Sequence, residues 1–352
     1  MGPWRRRYAL VLALIAAGSV LGVVHSPARA VPTPAVAREA AGALSGIDSL
    51  LAAGRSDSAL KAALAAVRRW GSDPLYGWQA EGRAGAALLA VGRPLEALPH
   101  LETAVGVQPA DGALHHQLGL ALAALGRNGR ALAEFEEAAR LDPAAVAPRL
   151  EAGRLRGSLG DIAGAKDAWA AASTLCGGCP EPDRLLAGLL LAAGRPADAL
   201  LPLGRLRAVD PGDDLRRNLL AALAGAGRDS AVLQLVHERE IGVWTPDEWR
   251  QAVQAEGRLG AWRLAQAALQ RAEVAGDGIP RDDDVFWAHV AANLLAGGQA
   301  GPSLVAIDMA LKLRPDQGIY HHNRAAALAA LGRPEEARRA LEAGGLEPAM
   351  PK

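Results

Sequence analysis

Cysteine, methionine and aromatic residues are scarce in this chain: 2 Cys, 3 Met, 2 Phe and 3 Tyr among 352 residues. So few cysteines exclude a disulfide-stapled scaffold and a four-thiolate zinc site. β-Branched residues are few beside alanine and leucine, which argues for helix over sheet. Charge of one sign is missing too, since 38 basic residues balance 38 acidic ones. Without a concentrated basic face, nucleic acid is not an expected partner. Beyond Val24 no apolar run is long enough to span a bilayer. There is no glycine-rich phosphate loop after a strand, no nucleophile elbow and no His-Glu-x-x-His helix. Neither catalysis, nor a metal, nor a cofactor is expected.

What the sequence has is alanine, leucine and evenly placed glycine. Half of it is apolar, enough for a sizeable core. The first thirty residues differ from the rest. Arg5, Arg6 and Arg7 precede an apolar run from Tyr8 to Val24, and Ala28-Arg29-Ala30 follows as a small-x-small site. That is the three-part layout of a secretory signal, with cleavage expected after Ala30. The alternative is an uncleaved anchor, because 17 apolar residues reach the lower limit for a spanning helix. Either way residues 31–352 are expected outside the cytoplasm, periplasmic or otherwise extracytoplasmic, and the membrane is met only through the N-terminal segment. Without these thirty residues the chain keeps 34 basic against 38 acidic residues, a weakly acidic body.

Glycines that close helix-like runs recur at Gly54, Gly92, Gly126, Gly160, Gly194, Gly227, Gly260, Gly298 and Gly332, 33 to 38 residues apart. A helix often ends on a residue of positive φ, where glycine alone is unstrained. Three of them open Gly-Arg-Pro, at Gly92, Gly194 and Gly332, and proline suits the first turn of the helix that follows. Other positions keep the same phase. Alanine stands five residues on at Ala97, Ala131 and Ala165, and a large apolar residue nine on at Leu101, Phe135 and Trp169. A small residue stands seven back at Gly85, Gly119 and Gly153. Pro109, Pro143, Pro211 and Pro315 end second helices.

In this period and phase the sequence resembles the tetratricopeptide repeat family, and the stretch LHHQLGLALAALGRNGRALAEFEEAARLDP carries the pattern almost complete. The resemblance implies an all-α, right-handed superhelical solenoid of about nine helix-turn-helix repeats. Its units fall at about 36–72, 78–111, 112–145, 146–179, 180–212, 213–245, 246–283, 284–317 and 318–346. Residues 213–278 depart from the pattern, with Leu220 and Val253 at the small position and Trp244 and Asp277 where proline is usual. Each unit of such an array touches only its neighbours. The last helix, with Glu335, Glu336, Arg338, Arg339 and Glu342, is expected to cap it.

The resemblance further implies a non-enzymatic scaffold whose first helices line a concave groove that takes a protein or peptide partner. Ten residues before the glycines, that phase carries Arg184, Arg217 and Arg250 in three consecutive units. Arg154 extends the row, and Asn218, Gln251 and Gln254 lie close by. Arginine forks fit carboxylates, so an acidic segment or a partner's C-terminus is the expected ligand. The family's paired Lys and Asn clamp for carboxylates is absent. Trp244, Trp249, Trp262 and Trp287 cluster in the divergent stretch, either as core or as a stacking surface for a cell-wall polymer or polysaccharide. Cys176 and Cys179 form a small loop disulfide or stay as idle thiols, with an accessory redox role as the alternative. The same-phase pairs His115-His116 and His321-His322 are explained by the repeat without a metal.

Overall fold

Eighteen α-helices and one 3₁₀ turn, with no strand, make up the described residues. The computed structural model describes residues 33–209, 212–272, 276 and 278–345. The export signal expected at 1–30, together with Pro211 and Asp277, lies outside them. No helix among the described residues is long and apolar enough to cross a membrane. The protein divides into two compact units, with the boundary between Glu134 and Phe135.

The first unit holds α1 (Pro34–Ala52), α2 (Ser56–Trp70), α3 (Gly77–Ala90), α4 (Pro94–Val107) and α5 (Gly112–Ala124). Each packs on the next in sequence order. Small residues set the spacing: a Cβ at Gly85 on α3 would overlap the Leu101 side chain of α4, and one at Gly82 would overlap Leu114 of α5. Glycine there lets the leucines enter the facing helix, and Leu101 is fully buried. The boundary between units falls within α6 (Asn128–Leu141).

The second unit continues as first and second helices in alternation. They are α7 (Ala147–Ser158), α8 (Ile162–Leu175), α9 (Pro180–Ala192), α10 (Pro196–Leu206), α11 (Asp213–Gly225) and α12 (Asp229–Val236). After the 3₁₀ turn Ile241–Val243 come α13 (Pro246–Arg258), α14 (Arg263–Gln270), α15 (Asp284–Ala296), α16 (Ala300–Leu313), α17 (Gly318–Ala330) and α18 (Pro334–Ala343). The small-against-large rule recurs, since Gly153 on α7 lies under the Trp169 indole of α8, where a Cβ would collide. The indole N–H donates to the Leu150 carbonyl at 3.1 Å.

All nine repeat glycines have positive φ, between 65° and 82°. The residue after the glycine donates its N–H back into the closing helix, as in Arg93 to the Leu88 carbonyl at 2.8 Å and Arg195 to that of Leu190 at 2.8 Å. This six-to-one bond closes the helix and turns the backbone at once. In the three Gly-Arg-Pro units the arginine then pairs with an acid three residues on: Arg93 with Glu96, Arg195 with Asp198, Arg333 with Glu336. Those acids stand in the first turn of the new helix, where the macrodipole favours negative charge. The Arg93 guanidinium holds the Glu96 carboxyl below its ordinary range.

The divergent stretch folds with shortened second helices. α12 and α14 have 8 residues each, against 14 in α8 and α16. Trp244, Trp249 and Trp287 fill the volume the missing turns leave, and are at most 2 % exposed. Loop carbonyls satisfy two of their indoles: Trp244 donates to Arg239 at 3.2 Å and Trp287 to Arg281 at 3.1 Å. Trp244 and Trp249 meet edge to face at 5.0 Å.

Candidate functional site: the first-helix face of the second unit

The arginine row lies on first helices: Arg154 on α7, Arg184 on α9, Arg217 on α11 and Arg250 on α13. Each arginine has an acid three residues before it on its own helix. Arg154 bonds Glu151 at 3.1 Å, Arg184 bonds Glu181 at 3.0 Å, Arg217 bonds Asp214 at 2.7 Å and Arg250 bonds Asp247 at 2.8 Å. Arg154 also reaches forward to Glu181 on the next first helix at 2.8 Å, and Arg250 to Asp283 at the cap of the next first helix at 2.5 Å. The row is therefore a ladder of alternating charge, not a positive stripe. The cause is helix geometry: a residue three positions on lies on the same face, and Glu181, Asp214 and Asp247 stand in first turns, where the macrodipole favours acids.

Exposure grades along the ladder. The Arg217–Asp214 pair is open to solvent, with side chains 63 % and 89 % exposed, so it adds little to stability. Asp283 is more enclosed. Burial pushes its carboxyl up, yet hydrogen bonds from Arg250 and the Phe286 N–H hold it below its ordinary range.

The structure brings three of the expected residues together. Arg184, Arg217 and Asn218 line a cleft of about 630 Å³ between α9 and α11, floored by Leu203 and Leu206 of α10, with Asp213 and Asp214 on its rim. Arg250, Gln251 and Gln254 lie on α13 and Arg154 on α7, outside this cleft.

Two acids that carry more of the local structure were not among the expected site residues. Glu248 is 3 % exposed. It accepts the Arg216 Nε–H at 2.6 Å and the Thr245 N–H at 2.8 Å, while Thr245 accepts the Glu248 N–H at 3.3 Å. Arg216 is the half-buried neighbour of exposed Arg217, and it also donates to the Leu235 carbonyl at 2.6 Å. Burial pushes the Glu248 carboxyl up, but the Thr245 N–H and Arg216 outweigh it and hold it low. Thr245 followed three residues later by Glu248 was a readable capping-box signal. Glu256 had none. It sits inside α13 and accepts the N–H groups of Leu264 at 2.7 Å and Ala265 at 3.3 Å, so one helix caps the next. Burial is the larger effect and leaves its carboxyl raised.

The other singled-out residues have structural places. Trp262 is half-buried and packs on Gly297. With Trp244, Trp249 and Trp287 buried, the cluster is core and not a stacking surface for a polymer. Cys176 and Cys179 are joined as a disulfide between α8 and α9, across Gly177 and Gly178, both of positive φ. His115 lies 2.6 Å from Glu134, and its Nε2–H donates to the Pro109 carbonyl at 3.0 Å. His321 makes the same bond to Pro315 at 2.8 Å. Both are spacers that tie a first helix to the end of the preceding one. Among the described residues no group of three or more His, Cys, Asp or Glu could hold a metal.

This geometry fits the class the repeat period pointed to. A family model described as a bacterial transcriptional activator domain matches residues 78–145, covering α3 to α6. Among solved structures, the C-terminal part of a TPR repeat-containing protein from Cytophaga hutchinsonii is 11 % identical. That match covers 80 % of this chain and 98 % of that one, at a TM-score of 0.50. A tetratricopeptide repeat protein from Parabacteroides merdae is 12 % identical over 83 % of this chain and 99 % of that one, at 0.45. A thermophilic TPR protein from Thermus thermophilus is 27 % identical over 52 % of this chain and 98 % of that one, at 0.43. No curated protein matches the sequence. The protein has the helical-repeat fold seen in tetratricopeptide-repeat proteins.

Proposed function

We propose that the protein is a non-catalytic scaffold that works outside the cytoplasm and holds a segment of a partner protein along its first-helix face. The observation that carries this reading is the cleft between α9 and α11, where Arg184, Arg217 and Asn218 converge on an apolar floor. Two guanidinium forks and a carboxamide over leucines suit a peptide that offers carboxylates and backbone groups together. The partner's contact segment is acidic, or is its C-terminus. Its carboxylates replace Asp214 at Arg217, an exchange that costs little because the resident pair is exposed. Arg154, Arg250, Gln251 and Gln254 extend contact to flanking first helices. Export is supported by the layout of the first thirty residues and by the disulfide, which suits an oxidising compartment. An adaptor in an envelope assembly fits this description.

Fluorescence anisotropy with a labelled acidic peptide, read against a peptide in which lysine replaces each acid, tests the site. Arg217→Ala and Arg250→Ala are expected to weaken the acidic peptide by about five- to tenfold each, and added salt to weaken it further. Unchanged affinity in both variants would remove the acidic-segment reading.

A further inference from the structure

A second cleft opens on another side of α9. It lies between second helices α8 and α10, holds about 710 Å³, and is floored by Leu186 and Leu190 of α9. The row described above uses Arg184 and Ala187 of the same helix instead. The gap has a cause in sequence. Trp169 turns inward onto Gly153 and the Leu150 carbonyl of α7, and the α8 positions that line the cleft include small Ala163 and Ala170. On the α8 side Ile162, Lys166 and Trp169 line the cleft together with these alanines and Ser173. Across the gap Leu201 is 69 % exposed and lines the cleft.

Charge on the rim is uneven. Arg205 is held by Asp183 at 2.8 Å, and Arg195 by Asp198 at 2.7 Å. Lys166 makes no ion pair among the described residues. The lining thus carries one uncompensated positive charge, on a body that is otherwise slightly acidic.

We propose that this cleft docks a short amphipathic helix of a partner protein, with an apolar stripe against Leu186, Leu190 and Leu201 and one carboxylate opposite Lys166. The cleft runs from Ile162 to Ser173, three turns of α8, which is roughly 17 Å. A helix of about a dozen residues matches that length. Helical form follows from hydrogen bonding. The walls are helices whose backbone groups are already bonded, so an extended peptide would bury unpaired N–H and C=O groups over leucine. A helix brings its own bonds and offers only side chains. This surface is separate from the arginine row and does not depend on it.

The probes are two labelled helical peptides of about 14 residues, identical except for Glu or Lys beside a leucine stripe, titrated by anisotropy into the full-length protein. The Glu peptide is expected to bind about tenfold tighter than the Lys peptide, and Lys166→Glu to reverse that order. Ala170→Trp fills the cleft and is expected to abolish binding of both peptides, with helicity and Tm unchanged. Leu201→Asp, at an exposed site, is expected to do the same and serves if Ala170→Trp misfolds. Arg217→Ala leaves this binding intact while weakening the acidic peptide at the first-helix face, so the two sites fail separately. Equal affinity for the Glu and Lys peptides, or binding that survives both cleft variants, overturns the proposal. So does dodecanoate binding where neither peptide binds, which would assign the cleft to an acyl tail.

Discussion

Arg216 and Arg217 are adjacent, yet their energetics differ. Arg217 points to solvent and meets an exposed aspartate. Arg216 is 13 % exposed and sits against a glutamate that is 4 % exposed. Removing one member of an enclosed pair leaves the other desolvated and unmatched, which costs about 3 kcal/mol. Glu248→Gln should therefore lower stability to urea by about that amount, while Arg217→Ala stays within about 0.5 kcal/mol. The pH dependence has a definite sign. The Glu248 carboxyl is held low in the folded state, so its contribution is present above the ordinary carboxylate range and is lost as pH falls through the folded value. Urea midpoints measured from neutral pH downward should decline in the native protein and decline less in Glu248→Gln. Glu256 runs the other way: its carboxyl is raised by burial, so protonation on acidification favours the folded state.

Helix ends decide the elements. The repeat glycines, the first-turn prolines and the acids after them are local signals, and each was readable because a helix terminus depends on only a few consecutive residues. The divergent stretch keeps the same grammar with a stronger start. Thr245 and Glu248 cap each other's backbone at the head of α13. Thr245→Ala should destabilise the second unit by about 1 kcal/mol, seen as a lowered urea midpoint and faster amide exchange in the first turn of α13. What the pattern left open was how α11 to α14 would pack with Leu220 and Val253 at the small position. Both are buried, and the neighbouring second helices shorten to 8 residues. The tryptophans take up the space, which is why they are core.

Within each unit, the helices pack on the next helix in sequence and on the next but one. An array of this kind distributes stability as repeat terms and neighbour terms. A lesion such as Glu248→Gln should thus raise hydrogen exchange in α11 to α14 and leave α3 and α4 unchanged. Uniform loss of protection across all helices would show instead that the protein unfolds as one cooperative body.

The sequence by itself determined the all-helical class, the repeat period and the turn chemistry. Glycine at positive φ and proline in a first turn act within a few residues and need no partner elsewhere. Only the tertiary structure decided the character of the surfaces. Arg250 meets Asp283, 33 positions away, and Arg154 meets Glu181, 27 away, so the basic row became a ladder of paired charge. The same holds for the cleft between α8 and α10. Its α8 wall depends on Trp169 packing against Gly153, 16 residues earlier, with Ala163 and Ala170 beside it. Side-chain partners one repeat apart are set by how helices stack, and that stacking is not written in any local run of residues.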